Sequence, residues 1–339
     1  MCKGNLFPGQ QGGQSRKKAY FCPGGAKAPA RTGFRRSVRA RRDETHHKKT
    51  RAWENTPACF CWPQRRAACN TSEKTSTVEV EEPASAVTEY TPAPGQFINS
   101  TDAGFGDRTI TTPEEAVAYA EERLSRGLYV SLGGWGGYIV AEFDEPVANT
   151  GGYDLYVTGN AFDGSSEPGV VWVAVRENGA PGTWYRLRGS EDDNDETLYD
   201  YEATYAPSDE EGIAAEWHDN RDGKGTIDRI GVHSQASYVP AWVPSLTYRG
   251  VRLPDNVTFD EAANKYIMTA FGWGYADNWS ATDRTGAKNR FRIADAVDAD
   301  GQPADLPQID YVKVQTGINA KAGNGVGEIS TEVCGIGCY

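Results

Sequence analysis

Residues 133–190 decide the fold: G-G-W-G-G-Y-I-V-A-E-F-D-E-P over 133–146, G-G-Y-D-L-Y-V-T-G-N-A-F-D-G-S-S-E-P-G-V-V-W-V-A-V-R-E-N-G over 151–179, and G-T-W-Y-R-L-R-G-S over 182–190. Short runs rich in Val, Ile, Tyr, Trp and Phe are cut at close intervals by Gly, Pro, Asn and Asp. That spacing predicts consecutive strands of an all-β sandwich or barrel. Tyr138, Val140 and Glu142 alternate with Ile139, Ala141 and Phe143, so one face of that strand is expected to be apolar and the other mixed. Val170 to Val175 is apolar nearly throughout and reads as a central strand covered on both faces, with Trp172 in the core. Arg176 to Gly182 reads as a polar turn ahead of Thr183 to Arg188.

Working outward, further strands are expected at Tyr199–Tyr205, Ile213–Trp217, Thr226–Val232, Thr247–Arg252, Lys265–Phe271, Asn289–Ile293, Gln308–Thr316 and Glu328–Cys334. One short helix is predicted near 113–126. Thr112 suits the N-cap, Pro113 the first helical position, and Glu115 completes a capping box. Val117, Ala120 and Leu124 share a face, and Gly127 is placed to end the helix. The expected architecture is a single large β-sandwich, jelly-roll-like, over 88–339, with this helix capping one end.

Charge divides the chain sharply. Residues 1–68 carry a net +13 and residues 69–339 a net −25. The basic segment lacks apolar periodicity and reads as a non-native or disordered leader. Ala67-Ala68-Cys69-Asn70 resembles the end of a lipobox, with Cys69 as the lipidation candidate, although Arg65 and Arg66 stand where apolar residues belong. Residues 69–87 are polar and read as a tether between an anchor and the folded domain. The acidic body argues against nucleic acid and against anionic lipid as partners, leaving contact with a membrane only through the lipid anchor. No apolar run approaches the length of a spanning helix.

Motifs for a nucleophile elbow, a zincin helix, a phosphate loop or a dinucleotide turn are absent from the sequence. His218 and His233 are the body's two histidines, and neither has a recognisable catalytic partner nearby. Calcium is the favoured inorganic partner. Asp163 and Glu167, in D-G-S-S-E, put hard oxygen donors on a tight turn; Asp298 and Asp300 do so more weakly, because D-A-D-G commonly makes a plain hairpin turn. Trp273, Tyr275, Asp277, Asn278 and Trp279 form an aromatic and polar loop suited to stacking on a flat ligand face. Sugars and corrinoid rings both present such faces. Cys334 and Cys338, separated by Gly-Ile-Gly, are expected to form a small-loop disulfide in an oxidising compartment.

Several of these segments also resemble a family of Bacteroidetes cell-surface proteins. The matching stretches are Tyr90–Asn99, Gly159–Gly169, Trp273–Asn278, Asp310–Gly317 and Gly327–Val333, together covering roughly residues 88–336. The resemblance implies an exported, lipid-anchored or secreted β-sandwich protein at the outer-membrane surface. Some relatives sit beside outer-membrane corrinoid uptake components, which implies capture of a corrinoid for a transporter. The combined expectation is a non-catalytic protein that captures a glycan or corrinoid. A glycan-active hydrolase with paired carboxylates and a structural adhesion module are the alternatives.

Overall fold

The computed structural model describes residues 80–106, 108–323 and 325–339. The basic leader, Cys69 and most of the tether lie outside the described residues. All pairings between the strands that build the body are antiparallel. The main sheet runs, in spatial order, Ala296–Val297, Ala180–Leu187, Gly169–Glu177, Gln308–Thr316, Tyr138–Ala148 and Ala86–Thr91. A second sheet runs Glu82–Pro83, Gly335–Cys338, Leu155–Thr158, Lys288–Phe291 and Arg284–Thr285. The strand alternation expected from the sequence is what joins them. Ile139, Ala141, Phe143, Val171, Val173, Val312 and Val314 share one core with Leu155, Val157, Phe291 and Ile336. The body is thus an all-β, sandwich-like fold.

Three details differ from the sequence expectation. First, the folded chain already includes Glu82, which pairs with Cys338, so the domain begins before residue 88. Second, a four-stranded sheet (Lys224–Asp228, Ile213–Asp219, Leu198–Pro207, Thr247–Arg252) carries its own core of Trp135, Tyr201, Tyr205, Ile227 and Tyr248, so one two-layer sandwich does not account for the whole body. Third, Trp172 is not in the main core. On its strand Val171, Val173 and Val175 point there; Trp172 is half-buried on the opposite face, with the Lys313 ammonium 4.8 Å from its ring centroid. The same ammonium lies 4.8 Å from Trp184, and burial pulls the Lys313 pKa down to about 8. The strand is nonetheless covered on both faces, as its apolar run suggests: Val170 and Trp172 pack with Val251, Leu253 and Met268, Ala174 packs with Val140 and Tyr311, and Lys313 lies over the two indoles.

The turn after Gly169–Glu177 is shorter than predicted. Asn178 and Gly179 alone connect the strands, both at positive φ (53° and 82°), as a two-residue type I′ hairpin requires. Ala180 to Gly182 already belong to the returning strand.

The helix spans Pro113–Ser125 with both halves of the capping box made. Gly127 (φ 63°) and Leu128 close it, donating to Leu124 O and Arg123 O at 2.9 and 3.0 Å, in a Schellman arrangement. Its buried residues are Ala116, Tyr119 and Ala120, with Val117 and Leu124 packed at the margin. The polar hydroxyl of Tyr119 hid its core role in the sequence; it donates to Ala103 O at 2.7 Å while the ring stacks on Phe105. Replacing Thr112 with alanine should lower the unfolding free energy by about 1 kcal/mol, read as a shift in urea midpoint.

The expected disulfide does not form: Cys334 and Cys338 are not joined. Gly335–Cys338 is an extended strand paired residue by residue with Thr158–Leu155. Cys334 sits in the bend just before this strand, and at about 3.4 Å per residue the strand carries Cys338 roughly 10 Å from Gly335, more than the 7 Å that a disulfide spans. Gly337 serves close packing instead of a loop, because a Cβ there would lie 2.4 Å from Tyr156 and from Glu82 O.

Candidate functional site

Four segments that are distant in sequence meet at three carboxyl groups, those of Asp277 and Glu332 buried and that of Glu167 on a half-buried residue. Glu167 ends the D-G-S-S-E turn, Asp277 follows the strand Tyr275–Ala276, and Glu332 begins the strand Glu332–Val333 that pairs with Val130–Ser131. One carboxylate oxygen from each lies within 4.8 Å of the others. Asp277, 1 % exposed and at φ 50°, holds the group together. Its Oδ1 accepts the backbone N–H groups of Asn160 and Ala161 at 2.9 and 2.8 Å, and its Oδ2 accepts that of Glu332 at 2.9 Å. The approach is close enough that a Cβ on Gly159 would sit 2.4 Å from Oδ1, so position 159 must be glycine. Glu332 Oε1 accepts the Ser330 hydroxyl at 2.8 Å, and the Ser330 and Ser131 hydroxyls are 3.3 Å apart.

Burial, then the neighbouring negative charge of Glu332, pushes the Glu167 and Asp277 carboxyls well above their ordinary range. Burial raises Glu332 as well, while hydrogen bonds from Glu167, Ser330, Ser131 and Asn160 act against the rise. Both causes favour the protonated form of Glu167 beside Glu332. Three carboxyl groups suit a hard dication by donor type. Here their oxygens also accept from N–H and O–H donors of the protein. The arrangement works as a clasp that ties residues 130–133, 159–168, 275–279 and 327–334 into one unit. Asp163 stands apart from it, exposed on the turn. Asp298 accepts the backbone N–H groups of Asp300 and Gln302 at 2.9 and 2.8 Å, which is the plain turn chemistry.

The predicted aromatic loop is split by the same packing. Tyr275, Asp277 and Asn278 are buried. The Tyr275 hydroxyl accepts Glu191 N–H at 3.0 Å, and the Asn278 amide exchanges two hydrogen bonds with the backbone of Phe271 at 2.9 and 3.0 Å. Their polar atoms are engaged by the protein and do not reach solvent. The Trp279 ring is covered by the Arg284 guanidinium, 3.4 Å from its centroid. Trp273 alone projects outward, 38 % exposed. Gly274, at φ 88°, allows this, since a Cβ there would strike Arg188 O and Gly189 Cα at 2.5 Å.

Trp273 forms a wall of a half-open cleft of about 250 Å³. Tyr153, Arg188, Arg290, Arg292, Asp283 and Asp295 contribute to its lining. The guanidinium carbons of Arg290 and Arg292 lie 4.1 and 4.7 Å from the Tyr153 ring centroid, so two cations flank one aromatic platform. Asp283 is committed to the loop, accepting Gly274 N–H at 2.7 Å and the Ser280 hydroxyl. Asp295 is pushed up by burial, with Arg292 and Arg188 opposing the shift. The cleft is thus a cluster of three arginines and two rings on a body whose net charge is strongly negative. Tyr153 and the three arginines escaped the sequence reading, because they lie on separate strand ends and loops that only the sheet order brings together.

No protein-family model matches this chain, and no curated protein matches it. Among the described residues no helix is long and apolar enough to cross a membrane.

Proposed function

We propose that this chain is a non-catalytic, surface-exposed binding protein that captures an acidic glycan at the Trp273 cleft. One observation carries the reading: the outward indole of Trp273 shares a cleft with Tyr153, Arg188, Arg290 and Arg292. A sugar ring lays its apolar face on an aromatic ring, and guanidinium groups give bidentate hydrogen bonds to a carboxylate or sulfate on the same sugar. Arginine is favoured over lysine for that task by its planar fork. The lipid anchor, the corrinoid cargo and the outer-membrane transporter that the family resemblance implies supply a cellular setting for this proposal, with cobalamin as the rival ligand. Its amide carbonyls are neutral acceptors, which pair with guanidinium less strongly than a carboxylate or sulfate does.

The hydrolase alternative draws on Asp295, a carboxyl with a raised pKa beside the cleft. Against it, glycoside hydrolysis needs a second carboxylate opposite the first, and Asp283 is held by Gly274 and Ser280.

Calorimetric titration with a uronic-acid oligosaccharide, a neutral oligosaccharide and cyanocobalamin separates these readings. The acidic glycan should bind, and Trp273→Ala should weaken it about tenfold, equivalent to about 1.4 kcal/mol. Trp279→Ala should leave it unchanged, because Arg284 covers that ring. Added calcium should not alter the affinity. Binding of cyanocobalamin alone would transfer the cleft to corrinoid capture, and release of reducing ends from the oligosaccharide would favour the hydrolase.

A further inference from the structure

A second cleft lies between the four-stranded sheet and the C-terminal segment, built from residues that share no side chain with the Trp273 cleft. It has a volume of about 250 Å³, and Trp135, Trp217, Lys224, Asn319, Lys321 and Glu328 contribute to its lining. Glu328 is the unusual member. It is only 2 % exposed, and its Oε1 accepts the Gln96 backbone N–H at 2.6 Å. Its Oε2 is buried with no hydrogen-bond partner in the protein. A buried oxygen left unpaired is unfavourable, so a group entering the cleft that bonds to it recovers the lost interaction.

The lining restricts what that group is. Lys224 and Lys321 rim the cleft and disfavour a cation, and the Lys321 ammonium is already engaged by Asp228, which accepts from its Nζ at 2.8 Å. Burial holds the Glu328 carboxyl protonated up to about pH 8, so at neutral pH it both donates and accepts. A hydroxyl is the matching partner. Trp217 supplies a half-buried indole whose ring packs over Gly225, where a Cβ would lie 2.5 Å from it. The Asn319 amide donates to the Tyr201 hydroxyl at 2.9 Å, which fixes its orientation and leaves its carbonyl oxygen as an acceptor. The volume falls just below the ~300–1,000 Å³ of sites for drug-sized ligands, which suits a single ring.

We propose that this cleft is a second binding site, distinct from the Trp273 cleft, that takes one neutral sugar residue, with a ring hydroxyl on Glu328 and the apolar ring face on Trp217. The site is independent of the acidic-glycan reading, since it shares no residue with that cleft.

Saturation-transfer NMR on the full chain with glucose, galactose, mannose and N-acetylglucosamine tests it. At least one of these sugars should show transfer to its ring protons. The signal should vanish in Trp217→Ala and in Lys224→Trp, which fills the rim from an exposed position without touching a buried group. Glu328→Leu should abolish it, while Glu328→Gln, which keeps a donor and an acceptor, should bind within about threefold of the parent. Trp273→Ala should leave it intact. No transfer from any of the four sugars to the folded parent protein overturns the proposal. So does a signal that survives Lys224→Trp, or one lost only in Trp273→Ala; the last would assign neutral sugars to the first cleft and leave the acidic-glycan reading to its own titration.

Discussion

Replacing Asp277 with alanine should destabilise the fold by about 4 kcal/mol. The carboxylate accepts three backbone N–H groups, from Asn160, Ala161 and Glu332, at 2.8–2.9 Å in a fully buried setting. Each orphaned buried donor costs about 1–3 kcal/mol. Relief of the repulsion between Asp277 and Glu332 returns part of this, which keeps the total toward the lower end of the summed range of roughly 3–9 kcal/mol. Asp277→Asn keeps one acceptor oxygen for Asn160 and Ala161 but turns an N–H₂ toward the Glu332 N–H, so it should lose roughly half as much. Urea unfolding followed by tryptophan fluorescence measures both variants. An alanine variant that unfolds at the parent's midpoint would show that the clasp contributes nothing to stability. An effect on ligand binding without an effect on stability would instead make Asp277 a ligand contact.

The second large effect is a pH dependence that Glu328 imposes. Its carboxyl has an ordinary value of 4.5 and is raised by burial to about 8 in the fold. Below about pH 4.5 the folded and unfolded chains both hold the proton, and the contribution of this group to stability is fully present. Between there and about pH 8 the unfolded chain releases the proton and the folded chain keeps it. Stability therefore falls as pH rises, by up to about 1.4 kcal/mol per pH unit, and the loss levels off above about 8. Glu328→Gln cannot ionise and lacks this slope, while every other titrating group is common to both proteins. The difference in unfolding free energy should move steadily in the variant's favour from pH 5 to pH 8. A difference that stays constant over that interval would mean that Glu328 ionises as readily in the fold as out of it.

These two expectations rest on carboxyl groups that the sequence could name only singly. Glu167 was legible as an oxygen donor on a turn and Asp277 as a polar residue in an aromatic loop, yet nothing in either motif pointed to the other or to Glu332. Asp and Glu are too frequent in this acidic chain for abundance to mark a cluster. The aromatic loop illustrates the complementary difficulty. A run such as G-W-G-Y-A-D-N-W states that rings and polar groups are close, but not which of them face solvent. Trp273 does; Tyr275, Asp277 and Asn278 face the protein.

Local chemistry, by contrast, was readable wherever neighbours in sequence are also neighbours in space. The capping box of Thr112 and Glu115, the glycine stop at Gly127, and the period-two alternation of Tyr138–Phe143 all depend on residues within a few positions of one another. The strands Thr247–Arg252 and Gln308–Thr316 have the bounds their residues suggested. The half-buried state of Trp172 and the separation of Cys334 from Cys338 are not legible in the sequence for one reason: each depends on which strand lies beside it. Lys313 on the adjacent strand turns the Trp172 face into a cation–π layer, and pairing with Leu155–Thr158 keeps the two cysteines extended and apart.

The sequence by itself determined an all-β body, one capped helix and the alternation that buries one face of each main strand, because backbone propensity and burial period are set by near neighbours. Only the tertiary structure decided where the chemistry sits. The carboxyl clasp, the arginine-rimmed cleft at Trp273 and the unpaired oxygen of Glu328 each draw on segments far apart along the chain. Their proximity depends on sheet order, which no short window of sequence encodes.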